Sequence, residues 1–433
     1  MKRVGYLKRI KLKGGTHRGL DGRDVWDVLE NIKPVIEDLV KQRDSCYHNE
    51  IIPELQKNGI VFKKWQDLTK FEVKKMRDYF YLKVFPVLTP LAMDPSHPFP
   101  FISNMSLSLG IKLRVHKEGP KLFARVKIPD SMQPWIKIES EQENNEFTFI
   151  RLTDVVEHNL QELFPEMIIE SVIPFRVTRN ANIDLDDDES EDLLEIVEEE
   201  LRLRRFAQVV RLEHMNNRAD PWMMDLLKEE LEIEDEDVNG TVGELDYQCL
   251  YQITELPLPA LKYSTWTPVV PPQLRDDKVD IFTAIQKEDV LVHHPYESFS
   301  SSVERFIHQA VHDPKVEAIK ITVYRIGDES PFIPLLIRAA QQGKQVVCVV
   351  EVKARFDEAR NLYLAEKLEK AGVHVVYGVS GYKTHTKIAL VVRRERGDFK
   401  FYAHIGTGNY NSQTAKLYTD LGLFTCRTEV TSE

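Results

Sequence analysis

Cysteine is scarce and never clustered: Cys46, Cys249, Cys348 and Cys426 stand far apart, with no CxxC pair among them. That excludes a cysteine-based zinc site and a disulfide framework, and makes reduced thiols of a cytoplasmic protein the expectation. No run of about 18 apolar residues is available to cross a bilayer. The opening MKRVGYLKRIKLKGG lacks the apolar core of a signal peptide. Excess positive charge is missing as well, since the formal net charge is −11. Generalised binding to nucleic acid or to an acidic membrane is disfavoured, although a locally basic cleft is not. No internal repeat of about 20–50 residues and no low-complexity tract interrupts the chain.

What is present suits packed cores. With 433 residues, 42% of them hydrophobic and 29% charged, the chain has material for several domains. Val25, Val28, Leu29, Ile32, Ile36, Leu39 and Val40 mark a helix with Pro34 inside it, a candidate kink. Further helical patterns run through Ile51, Ile52 and Leu55 and through Phe71, Val73, Met76 and Phe80. After a proline-rich stretch from Pro86 to Pro100, SLSLGIKLRV, LFARVKI and FTFIRL read as strands, with helices at about 153–164 and 189–203. The second of these follows residues 184–200, which hold eleven acids and no base and read as a solvated helix face. Asp220-Pro221 has the form of an N-cap with proline at the first helical position. The middle region is therefore α+β.

Five prolines between Pro257 and Pro272 mark a linker. Beyond it, helices at about 302–312, 332–342 and 357–371 precede the strands VEAIKITVYR, KQVVCVVEV and VHVVYG. This alternation of helices and apolar strands predicts a parallel sheet covered on both faces. The final LGLFTCRTEVTSE shows no terminal helix.

In an open parallel sheet, ligands bind at the carboxyl ends of the strands. There Arg325 ends IKITVYR, Arg355 follows VVCVVEVKAR, and His404 follows FKFYA and leads into the glycine-rich IGTGN. The run GYKTHTKIALVV adds His385 and Lys387 at the mouth of an apolar strand, where a period of two aims both the same way. Each feature alone has a bland reading as a surface ion pair, a structural histidine or a common turn. Together they suit phosphoryl transfer, which needs fixed positive charge and directed donors. Arginine forks match phosphate oxygens, glycine-rich turns approach anions, and neutral imidazole is a nucleophile near pH 7. No GxxxxGK[ST] is present, so a P-loop mechanism is excluded.

VYRIGDESP, VEVKARFDEARN, YKTHTKIALVVRRE and YAHIGTGNYNSQTAKLYTDLGL together resemble class 1 polyphosphate kinase. The resemblance extends back through FRVTRNANIDLDDDESEDLLEIVEEELRLRRF and VFPVLTPLAMDPSHPFPFISN, over nearly the whole chain. It implies a multidomain α/β protein: an N-terminal helical domain (1–64, partial), a head domain (65–270) and a first phospholipase-D-like catalytic domain (271–433). The activity implied is reversible transfer of the ATP γ-phosphate to inorganic polyphosphate through a phosphohistidine, with Mg2+. His385 matches the phosphorylated histidine, and Arg325 and Arg355 match two arginines of the Mg2+ and phosphate site. Arginine has no lone pair to give a metal, so both are expected to bind phosphate oxygens beside the ion. Tyr418 matches a tyrosine that contacts the ATP base. His404 matches a second histidine, with an orienting or proton-transfer role expected, and Lys387 and Asn409 complete the polar lining. A homo-oligomer in the cytoplasm, with peripheral attachment to the inner membrane as a family trait, is also implied.

Two departures stand out. The phospholipase D signature ends H-x-K-x4-D, but position 392 is Val392. The family's ATP-contacting asparagine segment and its second α/β domain, which supplies another histidine and an arginine, have no counterpart here, so the ATP cleft is expected to be incomplete at both ends. A phospholipase-D-like phosphodiesterase and a non-catalytic polyphosphate-binding fragment are the alternative readings.

Overall fold

The computed structural model describes the chain except residues 1, 13–17, 19–21, 94–97, 140–146, 181–192, 326–329, 353, 355–356, 379–381 and 433, and except the side chains of residues 2, 12, 193–196 and 200. Arg355 and most of the acidic run lie outside the described residues. The chain divides into two compact units, Met1–Asp184 with Arg202–Leu258, and Leu185–Leu201 with Pro259–Glu433. Among the described residues, no helix is long and apolar enough to cross a membrane.

In the first unit, the helix Val25–Cys46 begins at an Asp24 cap that accepts the Asp27 amide, and it continues through Pro34 to its end. Its last turn is tied down by Asp44, a buried carboxylate that accepts the Thr241 hydroxyl at 2.5 Å, the Tyr247 hydroxyl at 2.9 Å and the Val242 and Gly243 amides. Burial alone would raise this carboxyl; the bonds from Thr241, Arg43, Tyr247 and Gly243 outweigh it and hold the group below its ordinary value. The strands are β1 (Ile60–Lys63), β2 (Pro90–Met93), β3 (Ser108–Arg114), β4 (Leu122–Lys127), β5 (Trp135–Lys137), β6 (Phe147–Arg151), β7 (Ile168–Arg179), β8 (Val209–Met215) and β9 (Val238–Thr241). They form a three-stranded sheet, β1-β6-β5, and a six-stranded sheet, β2-β4-β3-β7-β8-β9. The α+β expectation fits this unit.

The second unit contains β10 (Val290–His294), β11 (Val316–Val323), β12 (Gln345–Val350), β13 (His374–Tyr377), β14 (Lys387–Glu395), β15 (Asp398–Gly406) and β16 (Asp420–Thr425). Their order is β10-β16-β15-β14-β11-β12-β13. Only β11, β12 and β13 run parallel; β10, β16, β15, β14 and β11 pair antiparallel. The expected all-parallel sheet is thus corrected to a mixed one, because β14, β15 and β16 follow each other through hairpin-type connections with no crossover helix. Coverage of both faces is corrected too. One face packs Phe282, Phe306, Phe332, Tyr402 and Phe424 into a dry core, while Leu291, Phe399 and Phe401 on the other remain exposed. Val197, from the helix Leu193–Arg204, joins this same core. A single helical turn, Thr428–Thr431, follows β16 where no terminal helix was expected.

The β14–β15 hairpin sets the register on which the polar end depends. Its two-residue turn is Arg396-Gly397, both with positive φ (49° and 97°), the backbone signature of a type I′ turn. With Glu395 opposite Asp398, the ladder brings His404 opposite Ala389 and Gly406 opposite Lys387. A slip of one residue would turn Ala389, Val391 and Tyr402 out of the core, each large side chain forfeiting about 1.5–3 kcal/mol. Gly397→Val, which forces a β-branched residue into the left-handed region, is expected to destabilise this unit by on the order of 1–2 kcal/mol in thermal or denaturant unfolding. An unchanged unfolding curve would contradict the turn assignment.

Candidate active site

Because β14 and β16 run opposite to β10, β11, β12 and β15, the starts of the former meet the ends of the latter. His294 pairs with Asp420, Gly422 with Gly406, Gly406 with Lys387, and Val323 with Val350. One edge of the sheet therefore carries His294, Asp420, Lys387, Tyr324, Arg325 and Glu351, with His385 in the segment leading into β14.

Tyr324 is the hub of this edge. The His385 imidazole stands edge-on to its ring with centroids 4.9 Å apart and planes at 76°. Lys387 Nζ lies 5.0 Å from the ring centroid, Lys383 Nζ 5.2 Å and the Arg325 guanidinium carbon 5.5 Å. The π face of a phenol is a fitting seat for cations that would otherwise repel one another. Strand alternation does not bring His385 and Lys387 together, as β14 begins only at Lys387. Lys387 is buried and its ammonium turns back to donate to the His385 carbonyl, whereas the His385 side chain is exposed.

These cations set the protonation of the imidazole. Desolvation first, then Lys387, Lys383 and Arg325, hold His385 below its ordinary value, which favours the neutral ring. Lys387 is itself lowered by burial, against an opposing pull from Asp420. Arg325 Nε contacts Asp357 Oδ2 at 2.8 Å, so its guanidinium is held beside the helix Glu358–Lys370.

His404 occupies a different environment. It is 3% exposed, wedged against Phe424 and Tyr410, and its Nδ1 meets the Tyr410 hydroxyl at 2.9 Å. Burial, and secondarily His294, push it down to about 3, so it stays neutral at any ordinary pH. Its Nε2, like that of the buried His294, has no partner among the described residues. Such a buried, neutral ring is placed to orient its neighbours. Within the IGTGN turn, the Thr407 amide donates to the Leu421 carbonyl and its hydroxyl to Asp420. Asn409 is half-buried, and its Oδ1 has no partner among the described residues. Tyr418 is 63% exposed. Arg355 is outside the described residues.

Sequence reasoning passed over Tyr324, Glu351, Asn361, Tyr410, Asp420 and His294. Asn361 is fully buried and its amide donates to the Tyr324 carbonyl at 2.9 Å and the Glu351 carbonyl at 2.8 Å, pinning the ends of β11 and β12 side by side. The advance signal for these residues, His294 excepted, was that they fall within the same motifs as the arginines and histidines. For Mg2+, no group of three or more His, Cys, Asp or Glu among the described residues could hold an ion. The arginine-and-lysine edge fits a metal only as the companion of bound phosphates.

The comparisons agree with one another. Residues 72–253 match the model of the polyphosphate kinase middle domain, and residues 280–433 that of polyphosphate kinase C-terminal domain 1. A polyphosphate kinase of Synechocystis is 44% identical over 99% of this chain and 62% of its own length, and one of Thermosynechococcus vestitus is 42% identical with the same coverages. One of Mycobacterium tuberculosis is 43% identical over 99% of this chain and 59% of its own length. The crystal structure of polyphosphate kinase from Porphyromonas gingivalis shares the fold at a TM-score of 0.78 and 24% identity, covering 99% of this chain and 60% of that one. Fold, motifs and matches define a multidomain α/β protein of polyphosphate kinase type, and the chain belongs to the class 1 polyphosphate kinase family. It spans about three-fifths of the length of these relatives.

The buried slot around His404 depends on Gly422, where an added Cβ would stand 2.6 Å from His404 Nε2 and 3.0 Å from Val292 Cγ2. Gly422→Ala is expected to cost about 1–3 kcal/mol of stability in thermal unfolding, through overpacking. A variant as stable as the parent would contradict this placement of the imidazole.

Proposed function

We propose that this chain carries the nucleophile of a polyphosphate kinase, which reversibly transfers the ATP γ-phosphate to inorganic polyphosphate through a phosphohistidine at His385. The observation that carries the reading is the imidazole itself: accessible, biased to its neutral form and ringed by Lys387, Lys383 and Arg325 around Tyr324. A neutral ring nitrogen attacks the γ-phosphorus; the N–P bond forms as the bond to the β,γ-bridging oxygen breaks and ADP leaves. Attack by a terminal polyphosphate oxygen then breaks the N–P bond and restores the imidazole. The surrounding cations do the electrostatic work, compensating negative charge on the equatorial oxygens and the leaving group.

Arg325 and Arg355 are assigned to phosphate oxygens, and Lys387 to holding the backbone of His385 while adding to the positive field. Asn409 is assigned to the polar lining around the phosphoryl group, and the exposed Tyr418 to the rim that meets the nucleotide. His404 is assigned as a positioning residue, since its ring is buried, bonded to Tyr410 and held down to about 3. Mg2+, held through phosphates that Arg325 and Arg355 would bind, would supply further charge compensation. The four free cysteines support a reducing, ATP-containing compartment, the cytoplasm.

Incubation with γ-labelled ATP and Mg2+ is expected to give acid-labile, base-stable label that His385→Ala abolishes. Arg325→Ala is expected to slow labelling by about 10²-fold. Because burial and the neighbouring cations hold the folded imidazole below its ordinary value, the acid-side fall in labelling rate should lie below the ordinary histidine range, with the rate flat around neutrality. Label that persists in His385→Ala would overturn the assignment.

A further inference from the structure

The backbone on either side of His385 is gripped by side chains from two other strands. On the amino side, the Thr384 amide donates to Glu351 Oε2 at 2.6 Å. Glu351 lies just past the end of β12 and is 3% exposed, so this acceptor is set in a dry wall. On the carboxyl side, the Thr322 hydroxyl of β11 donates to the Thr386 carbonyl at 2.8 Å and accepts the Ile388 amide at 3.0 Å. The regular ladder between β11 and β14 ends at the Ile321–Ala389 pair. One residue further on, the hydroxyl of Thr322 stands in for main-chain groups and carries the attachment across to the segment that holds His385.

We infer that Glu351 and Thr322 form a two-sided clamp that fixes the main chain at residues 384 and 386–388, and so orients the His385 imidazole for in-line attack. They are positioning residues: neither side chain has to touch substrate. The inference deepens the phosphohistidine reading and rests on it for its catalytic consequence, but the clamp itself is a matter of these hydrogen bonds. The surroundings make the clamp necessary. His385 is exposed and precedes the strand, so neither core packing nor a regular ladder fixes its backbone. A nucleophile displaced by about 1 Å forfeits on the order of a hundredfold in rate.

The clamp's base is rigid. The Glu351 amide donates to the Val323 carbonyl at 2.9 Å, and Asn361 bridges the carbonyls of Tyr324 and Glu351. Both jaws therefore sit on adjacent strands that move as one piece. The Lys387 ammonium, capping the His385 carbonyl, closes the gap between them.

The test uses the full chain and three variants. Thr322→Val keeps the β-branched shape and removes the hydroxyl; Glu351→Ala removes the other jaw; Thr322→Ser restores the hydroxyl on a smaller side chain. Site-resolved amide exchange is expected to quicken at Ile388 in Thr322→Val and at Thr384 in Glu351→Ala, with the rest of the sheet unaffected. Labelling of His385 from ATP should slow by at least about tenfold in both, with nucleotide affinity unchanged, and recover to within a few-fold in Thr322→Ser. Unchanged exchange at both amides would overturn the clamp whatever the activity. Faster exchange with undiminished labelling would overturn its orienting role. If the unsubstituted chain takes no label while an intact His385 is present, the reading that this chain by itself forms the phosphohistidine fails instead, and exchange alone decides the clamp.

Discussion

The antiparallel seam between β11 and β14 is the constraint from which the rest of the catalytic unit follows. Had β14 run parallel to β11, its first residues would lie at the opposite end of the sheet from Arg325. Reversed, it delivers Lys387 and His385 to the Tyr324 ring, so that one rim collects the imidazole, two ammoniums and a guanidinium. The core face enforces this arrangement. Ala389 and Val391 lie against Tyr402, Ile319 and Ile321 in a dry layer that tolerates no slip, and the polar rim is simply where that layer ends.

Two histidines of similar sequence setting come out with opposite characters. His385 sits at the surface among cations, with an imidazole that is lowered yet still able to meet an incoming phosphate. His404, on the neighbouring strand β15, is sealed between Phe424 and Tyr410 and driven down to about 3. The difference is one of solvent, not of motif. A nucleophile must be reachable and correctly aimed; a buried ring with one partnered nitrogen gives shape to the wall behind it. Under the proposed function, the family motif that spans both encodes a reactive group and part of its support.

Much of the fold was legible from periodicity. The helices Phe332–Gln341 and Glu358–Lys370 and the strands β11, β12 and β13 fall close to where the apolar patterns put them. Strand direction was not legible, because apolar runs such as IALVV read the same in either sense. The clue lay in Arg396-Gly397, a two-residue turn between strand-like runs that calls for an antiparallel hairpin. Of the site, the charged residues were visible as motif members, but their environments were not. Nothing in the sequence says that Lys387 folds back on a carbonyl, that Tyr324 gathers the cations, or that His404 is dry. Those facts arise from register and from contacts between residues some sixty positions apart, such as Thr322 and Thr386. The residues missed altogether, Glu351 and Asn361 among them, act on backbone groups, which leave no chemical signature in a one-dimensional reading.

The central claim is that the rim presents a neutral, accessible imidazole to an anion while its sister ring stays buried. The most direct measurement is a pH titration of ring-15N-labelled histidines by NMR, with and without inorganic polyphosphate, using His385→Ala and His404→Ala to assign the signals. The account predicts that His385 titrates below its ordinary value and that its pKa rises when polyphosphate binds, because the polyanion offsets Lys387, Lys383 and Arg325. It predicts that the His404 signal does not move between about pH 5 and pH 9. A His404 ring that titrates in that range, or a His385 ring indifferent to polyphosphate, would contradict it.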